Sequence, residues 1–177
     1  MTTMTETRNT ATKTTQVHRV YIRATPQAIW DALTRPEWTE RYGYGGRSVY
    51  DLRPGGAHKG YTSDEMKQGG AAMGHTVPDV AVDGEVIEVD PPRRLVMTWR
   101  MLMDAQLAAE GFTRVTYEIE PGKGGVSRLT VIHELEGAPK LAALMAGEME
   151  AQGAGGGWSF ILSSLKTLLE TNASFVH

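Results

Sequence analysis

The sequence predicts an α+β fold: a curved antiparallel sheet holding one long helix at the C-terminal end of a single domain. Three observations predict it. The run Gly155–Thr171 winds with Trp158, Ile161, Leu162, Leu165, Leu168 and Leu169 on one stripe and Ser159, Ser163, Lys166, Thr167 and Glu170 opposite. The later strands alternate: Leu95, Met97, Trp99 and Met101 share a face, as do Val115, Tyr117 and Ile119, and Leu129, Val131, His133 and Leu135. Between the first strand and the rest lie two short helix starts, at Thr25-Pro26 and Pro36. The one-sided helix needs a surface and the one-sided sheet needs a cover, and each meets the other's need.

Residues 16–23, Q-V-H-R-V-Y-I-R, alternate and are rich in β-branched and aromatic types, which predicts a strand. Thr25 then caps a helix that has Pro26 at its first position and Ile29 and Leu33 on one face. Pro36 restarts a second helix through Trp38 and Tyr42, and Gly43, Gly45 and Gly46 end it. Arg47–Arg53 and Ala57–Thr62 form a hairpin around Pro54-Gly55-Gly56. Residues 64–81 show no period and read as a long loop or flap whose Met66 and Met73 could adapt to a ligand or could equally be disordered.

The remainder is a meander. Val82–Val89 turns at Asp90-Pro91-Pro92 into Arg94–Met101, and the loop Leu102–Gly111 leads to Phe112–Glu120. Pro121-Gly122-Lys123-Gly124-Gly125 turns into Ser127–Leu135. Thr98, Arg100, Thr116, Glu118, Thr130 and Glu134 take the water side of these strands. Residues 137–152 hold a short amphipathic helix, and the glycines before Trp158 bend the chain into the last one.

The bulk properties narrow the function. A chain of 177 residues with 41% hydrophobic content suits one domain with a sizeable core. The net charge of −3 argues against a nucleic-acid partner, which asks for a basic stripe. The chain has no cysteine, so disulfide and thiolate chemistry are excluded and a reducing cytoplasm fits. Residues 1–15 are threonine-rich, lack the apolar core of a signal peptide and read as a disordered tail before a domain at 16–177. No apolar run is long enough to span a bilayer.

The order of elements resembles the helix-grip fold of the START-like (SRPBCC) superfamily. More narrowly, the chain resembles a stand-alone bacterial member of the family named for the activator of heat shock protein 90 ATPase. The residues that carry the likeness are Thr25-Pro26 with Ile29–Thr34, Asp90–Leu95 with Thr98-Trp99, Val115–Ile119, Gly157-Trp158, Leu162–Lys166 and Leu168–Thr171. The resemblance covers about residues 16–171 and implies a cavity between the sheet and the last helix. Relatives use such cavities for lipids, hormones and polyketides.

On that basis Met97, Trp99, Met101, Tyr117, His133, Trp158, Leu162 and Leu165 are the candidate ligand-binding residues. Packed core is the bland alternative for each, since a cavity wall is core with a gap. His133, set between Val131 and Leu135, is the sharpest of them: it suits a hydrogen bond to a ligand or, if the protein is an enzyme, the role of general base. No carboxylate or nucleophile is set beside it by the sequence, so a core histidine satisfied by backbone or water is the plainer reading. Phe160 lies off the leucine stripe and marks either a homodimer or partner contact or an ordinary exposed aromatic.

His18, His58, His75 and His177 show no metal-ligand spacing, and no metal is expected. Gly153–Gly157 lacks the strand and the Gly or Gly-Lys pattern of a nucleotide loop, and no cofactor is expected. The leading expectation is therefore a cytoplasmic module that binds a small apolar or amphipathic molecule. A cyclase, aromatase or hydrolase using the same cavity comes second, and a co-chaperone-like interaction module third.

Overall fold

The computed structural model describes residues 14–176. The tail expected at the N-terminus lies outside the described residues up to position 13, as does His177. Thr15 already belongs to the first strand, and Leu135 N–H donates to Thr14 O over 2.5 Å.

Strand β1 (Thr15–Ile22) is followed by α1 (Pro26–Thr34) and α2 (Pro36–Thr39). The Thr25 hydroxyl accepts Ala28 N–H at 3.1 Å and Pro26 occupies the first turn, as the sequence predicts. Helix α1 buries Ile29, Trp30, Ala32 and Leu33. Helix α2 stops at Thr39, short of Tyr42. The hairpin of β2 (Arg47–Tyr50) and β3 (Ala57–Tyr61) comes next, then β4 (Val80–Asp90), β5 (Arg94–Met101), β6 (Thr113–Pro121) and β7 (Ser127–Glu134). These strands form one antiparallel sheet in the order β1-β7-β6-β5-β4-β3-β2.

Two expected loops carry helices. Asp64–Ala72 is α3: the Ser63 hydroxyl accepts Met66 N–H at 3.2 Å, and Asp64 and Glu65 stand in its first turn. None of its residues is buried, so it has no apolar stripe for a periodicity to reveal. Ala105–Ala109 is α4, a single turn capped by Asp104, whose carboxylate accepts two backbone N–H groups.

The inner face is the expected one. Leu95, Met97, Val115, Leu129, Val131 and His133 are fully buried, and Ile119, Trp99, Tyr117 and Leu135 nearly so. The outer face departs from the alternation in the middle of the sheet, where Val96 is 3% exposed and two residues expected on the water side are buried as well. Thr116 and Thr130 are only 5% exposed, although they point away from the core. Thr116 pairs with Val96 and Ile132, and Thr130 pairs with Glu118, in the middle of the sheet. Long neighbours on that face lie over them, tied in pairs such as Arg94–Glu118 and Arg114–Glu134.

Helix α5 (Pro139–Met145) and a 3-10 turn (Glu150–Gln152) lead to α6 (Gly157–Thr171). Trp158, Leu162, Leu165 and Leu168 of α6 are buried, each contributing about 1.5–3 kcal/mol by leaving water. Ser164 is fully buried as well and accepts Gly43 N–H at 3.0 Å, so α6 also packs against the segment after α2. Its far end is tied to β1. Lys166 donates to Tyr21 O at 2.6 Å, and Glu170 accepts Arg23 N–H at 2.8 Å. No helix among the described residues is long and apolar enough to cross a membrane.

Candidate functional site

Of the eight candidate residues, Met97, Trp99, Tyr117, His133, Trp158, Leu162 and Leu165 lie buried together between sheet and α6. Met101, at the end of β5, is half-buried at the margin of the same cluster.

At the centre is His133, held on β7 opposite Val115 of β6. The Trp158 indole N–H donates to His133 Nδ1 at 3.1 Å, and His133 Nε2 lies 2.8 Å from the Thr113 hydroxyl. An acceptor at Nδ1 leaves the proton of a neutral imidazole on Nε2. Nε2–H therefore donates to Thr113 Oγ1, and the Thr113 hydroxyl donates onward to Trp99 O at 2.9 Å. Trp99 and Trp158 meet the imidazole edge-on, with ring centroids 5.4 Å and 6.0 Å away. Burial pushes the His133 pKa down to about 3, so the ring is neutral at pH 7. Both ring nitrogens are engaged, and in this arrangement neither is free to take a proton from a substrate. The partners are side chains, where backbone or water was the expectation.

Tyr117 meets the Trp158 ring at 89° with centroids 6.3 Å apart. Its hydroxyl comes together with that of Tyr50, and the hydroxyl of Tyr42 lies in the same neighbourhood. Burial raises the pKa of all three phenols, so all keep their protons.

Tyr50 in turn lies flat on His58: ring centroids are 4.3 Å apart and the planes differ by 4°. His58 is 3% exposed, and its Nδ1 has no hydrogen-bond partner. Burial pushes its pKa down to about 4 against the pull of Asp83. A line of rings thus crosses the interior from His133 through Trp158, Tyr117 and Tyr50 to His58. The sequence expectations missed the far half of it. Tyr50 and His58 are direct cross-strand partners in the β2–β3 hairpin. Extending the period-two parity to that hairpin would have placed both rings inside.

The start of α6 is built on glycine. Gly153, Gly155 and Gly157 all have positive φ, and a Cβ on Gly157 would stand 2.2 Å from Met145 O. No side chain within the helix caps it. The Tyr44 phenol instead lies against the glycine run, where a Cβ built on Gly155 would stand 2.5 Å from its oxygen. This close approach explains the bend expected here, and it holds Trp158 in reach of His133.

Phe160 does not stand free. It is half-buried, stacked on Tyr44 at 5.0 Å and tilted against Phe175 at 5.7 Å. These contacts account for an aromatic off the leucine stripe without a second chain. A surface groove of about 470 Å³ runs beside them, lined by Gly43, Tyr44, Glu65, Met66, Phe175 and Val176. Another of about 340 Å³ lies by Tyr21 and Lys123, and neither groove includes any of the eight candidates. Among the described residues, no group of three or more His, Asp or Glu side chains is placed to hold a metal ion.

Comparison with known proteins completes the description. Residues 23–170 match the family described as Activator of Hsp90 ATPase homolog 1-like protein. Comparison with curated proteins gives no match. Among solved structures, protein MLL2253 from Mesorhizobium loti is similar with a TM-score of 0.62 at 20% identity, covering 88% of this chain and 96% of that one. PFC0360w, an HSP90 activator from Plasmodium falciparum, is similar with a TM-score of 0.59 at 15% identity, covering 88% and 95%. The Aha1 dimer from Colwellia psychrerythraea gives 0.54 at 18%, covering 89% and 96%. At these identities the likeness to the structures is one of fold.

Proposed function

Because the chain belongs to the family of Activator of Hsp90 ATPase homolog 1-like proteins, built on the helix-grip fold, we propose that it binds a small apolar or amphipathic molecule between the curved sheet and α6. The observation that carries this is His58. Its ring is buried on the inner face with Nδ1 unpartnered. An orphaned buried polar atom costs about 1–3 kcal/mol, and native proteins keep few of them without a use. A bound molecule with one polar group supplies the missing partner and replaces apolar contacts with its own body.

Met97, Trp99, Met101, Tyr117, Trp158, Leu162 and Leu165 are proposed as the walls of this site, and His133 as the group that fixes Trp158 within it. The use of His133 as a general base for a cyclase, aromatase or hydrolase is disfavoured by the bonds from Trp158 and to Thr113.

Native mass spectrometry of protein purified from its own host tests the proposal. A co-purified molecule that dissociates on unfolding, and whose return raises the melting temperature, is the expected result. A clean apoprotein mass, with no thermal shift from a panel of lipids and aromatics, overturns it.

A further inference from the structure

We propose that the polar anchor of this interior site is His58 together with Tyr50, and that the molecule it selects is a neutral aromatic bearing a hydroxyl group. The assignment rests on the interior binding just proposed and adds the chemistry of the ligand.

The two rings form a rigid unit. Tyr50 and His58 are cross-strand partners on the hairpin and stack nearly parallel at 4.3 Å. Nδ1 of His58 is the buried polar atom without a partner, while the Tyr50 hydroxyl meets that of Tyr117. Two phenols that share one contact still have an O–H proton and lone pairs to offer. A ligand hydroxyl is both donor and acceptor, so it satisfies the imidazole nitrogen in either neutral tautomer and can turn to a phenol as well.

Charge selects against an acid. Burial keeps His58 uncharged at pH 7. The nearest carboxylate, Asp83, pairs in register with Lys59, which points away from His58 along β3, and it is tied to Arg100 at 2.6 Å on the outer face. A carboxylate or phosphate ligand would have to shed its water without gaining Lys59 or Arg100 as a counter-ion. A bare hydrocarbon would leave Nδ1 orphaned.

The backbone leaves some room beside this anchor. Gly60, two residues on and facing inward with His58, has no positive φ to require glycine. A Cβ there would meet Val82 at 3.4 Å and Ser48 Oγ at 3.9 Å, ordinary contact distances. A single methyl group would fit there in ordinary contact, so glycine keeps any larger side chain away from His58 on this face. The walls nearby are rings, with Tyr117 edge-on to Trp158 at 6.3 Å, which favours a flat aromatic body over a flexible chain.

The test uses the full chain at pH 7.5 with three probes of one shape: naphthalene, 2-naphthol and 2-naphthoate. Calorimetry should give 2-naphthol an affinity about three- to ten-fold above naphthalene, the worth of one neutral hydrogen bond, and 2-naphthoate no advantage. The His58→Phe variant should still bind naphthalene and lose the preference for 2-naphthol, and His58→Gln should keep part of it. In the wild-type protein, which needs no substitution to fold, the His58 Nδ1 nitrogen resonance should move with 2-naphthol and stay with naphthalene. If none of the three probes binds, the interior site itself fails. If naphthalene and 2-naphthol bind equally, or the His58 nitrogens ignore 2-naphthol, binding stands but the anchor does not, and water is then the partner of Nδ1. A preference for 2-naphthoate overturns the charge selection.

Discussion

The Trp158 indole donates to Nδ1 of His133 across 3.1 Å, and that one bond decides what the histidine can do. It links the first turn of α6 to the middle of β7 and fixes the imidazole proton on the nitrogen facing Thr113. A histidine that parity alone offers as a base is thereby a structural clamp.

Replacing Trp158 with Phe keeps an aromatic ring but removes the donor. His133 Nδ1 is then a buried acceptor without a partner, and the loss expected is about 1–3 kcal/mol, plus a share for the smaller ring. Thr113→Val strands Nε2–H and should cost a similar amount. Both act on one chain of bonds, so the double variant should lose less than the sum of the two. Urea denaturation of the four proteins measures this, and strict additivity would show that the bonds do not act as a chain.

Two buried neutral histidines make stability depend on pH with a definite sign. Burial pushes His133 down to about 3 and His58 to about 4, from 6.5 in the unfolded chain. Between those values the unfolded chain binds protons that the native protein refuses. Stability is therefore whole above pH 6.5 and falls as pH drops toward 4, by about 1.4 kcal/mol per pH unit for each histidine. The urea midpoint should fall clearly from pH 7 to pH 5, and His58→Phe should remove about half of that slope. An unchanged midpoint over this range would mean that both rings are protonated without strain.

Much of this was legible in the sequence, and the gaps have physical reasons. The inner faces of β5, β6 and β7 and the stripe of α6 were read correctly because one face is buried and the other faces solvent over most of their length. Helix α3 was missed because it buries nothing, so its only signals were the cap at Ser63 and two acids in the first turn. Thr116 and Thr130 were misplaced because a central strand is covered on its outer face by its neighbours' long side chains, which alternation does not report. His58 was passed over because it was weighed only as a metal ligand. Tyr44 left no local signal at all: the glycines it packs on lie more than a hundred residues away.

Ser164 gives a prediction about the other face of α6. Its hydroxyl is fully buried and accepts Gly43 N–H at 3.0 Å. Ser164→Ala should cost about 1–3 kcal/mol because it orphans a buried backbone donor. Ser163, one residue earlier, is exposed and bonds only to its own helix at Ser159 O. Ser163→Ala should therefore be neutral or slightly stabilising, since alanine is the better helix former. Thermal melts of the pair settle whether α6 is held on two sides, and equal melting temperatures would argue against it.

The glycines before α6 carry the last prediction. At Gly157 a Cβ would stand 2.2 Å from Met145 O, on a backbone with φ of 62°. Main chain cannot yield as a flexible side chain can, so Gly157→Ala should displace the first turn of α6 and cost several kcal/mol. At Gly155, with φ of 83°, the Cβ would meet the Tyr44 hydroxyl at 2.5 Å, and that ring can turn aside. Turning it gives up the packing of the ring on the glycine run, so Gly155→Ala should cost the left-handed strain plus that lost contact, about 1–3 kcal/mol in all. Gly153, also left-handed, has nothing within 4 Å of its Cβ, and Gly153→Ala isolates the backbone strain. The expected order of loss is Gly157, then Gly155, then Gly153. Amide exchange at Trp158 and Ser159 should quicken in the first two and stay nearly native in the third. If Gly153→Ala disturbs those amides as much as Gly155→Ala does, then backbone strain, and not the packing of Tyr44, governs the start of the helix.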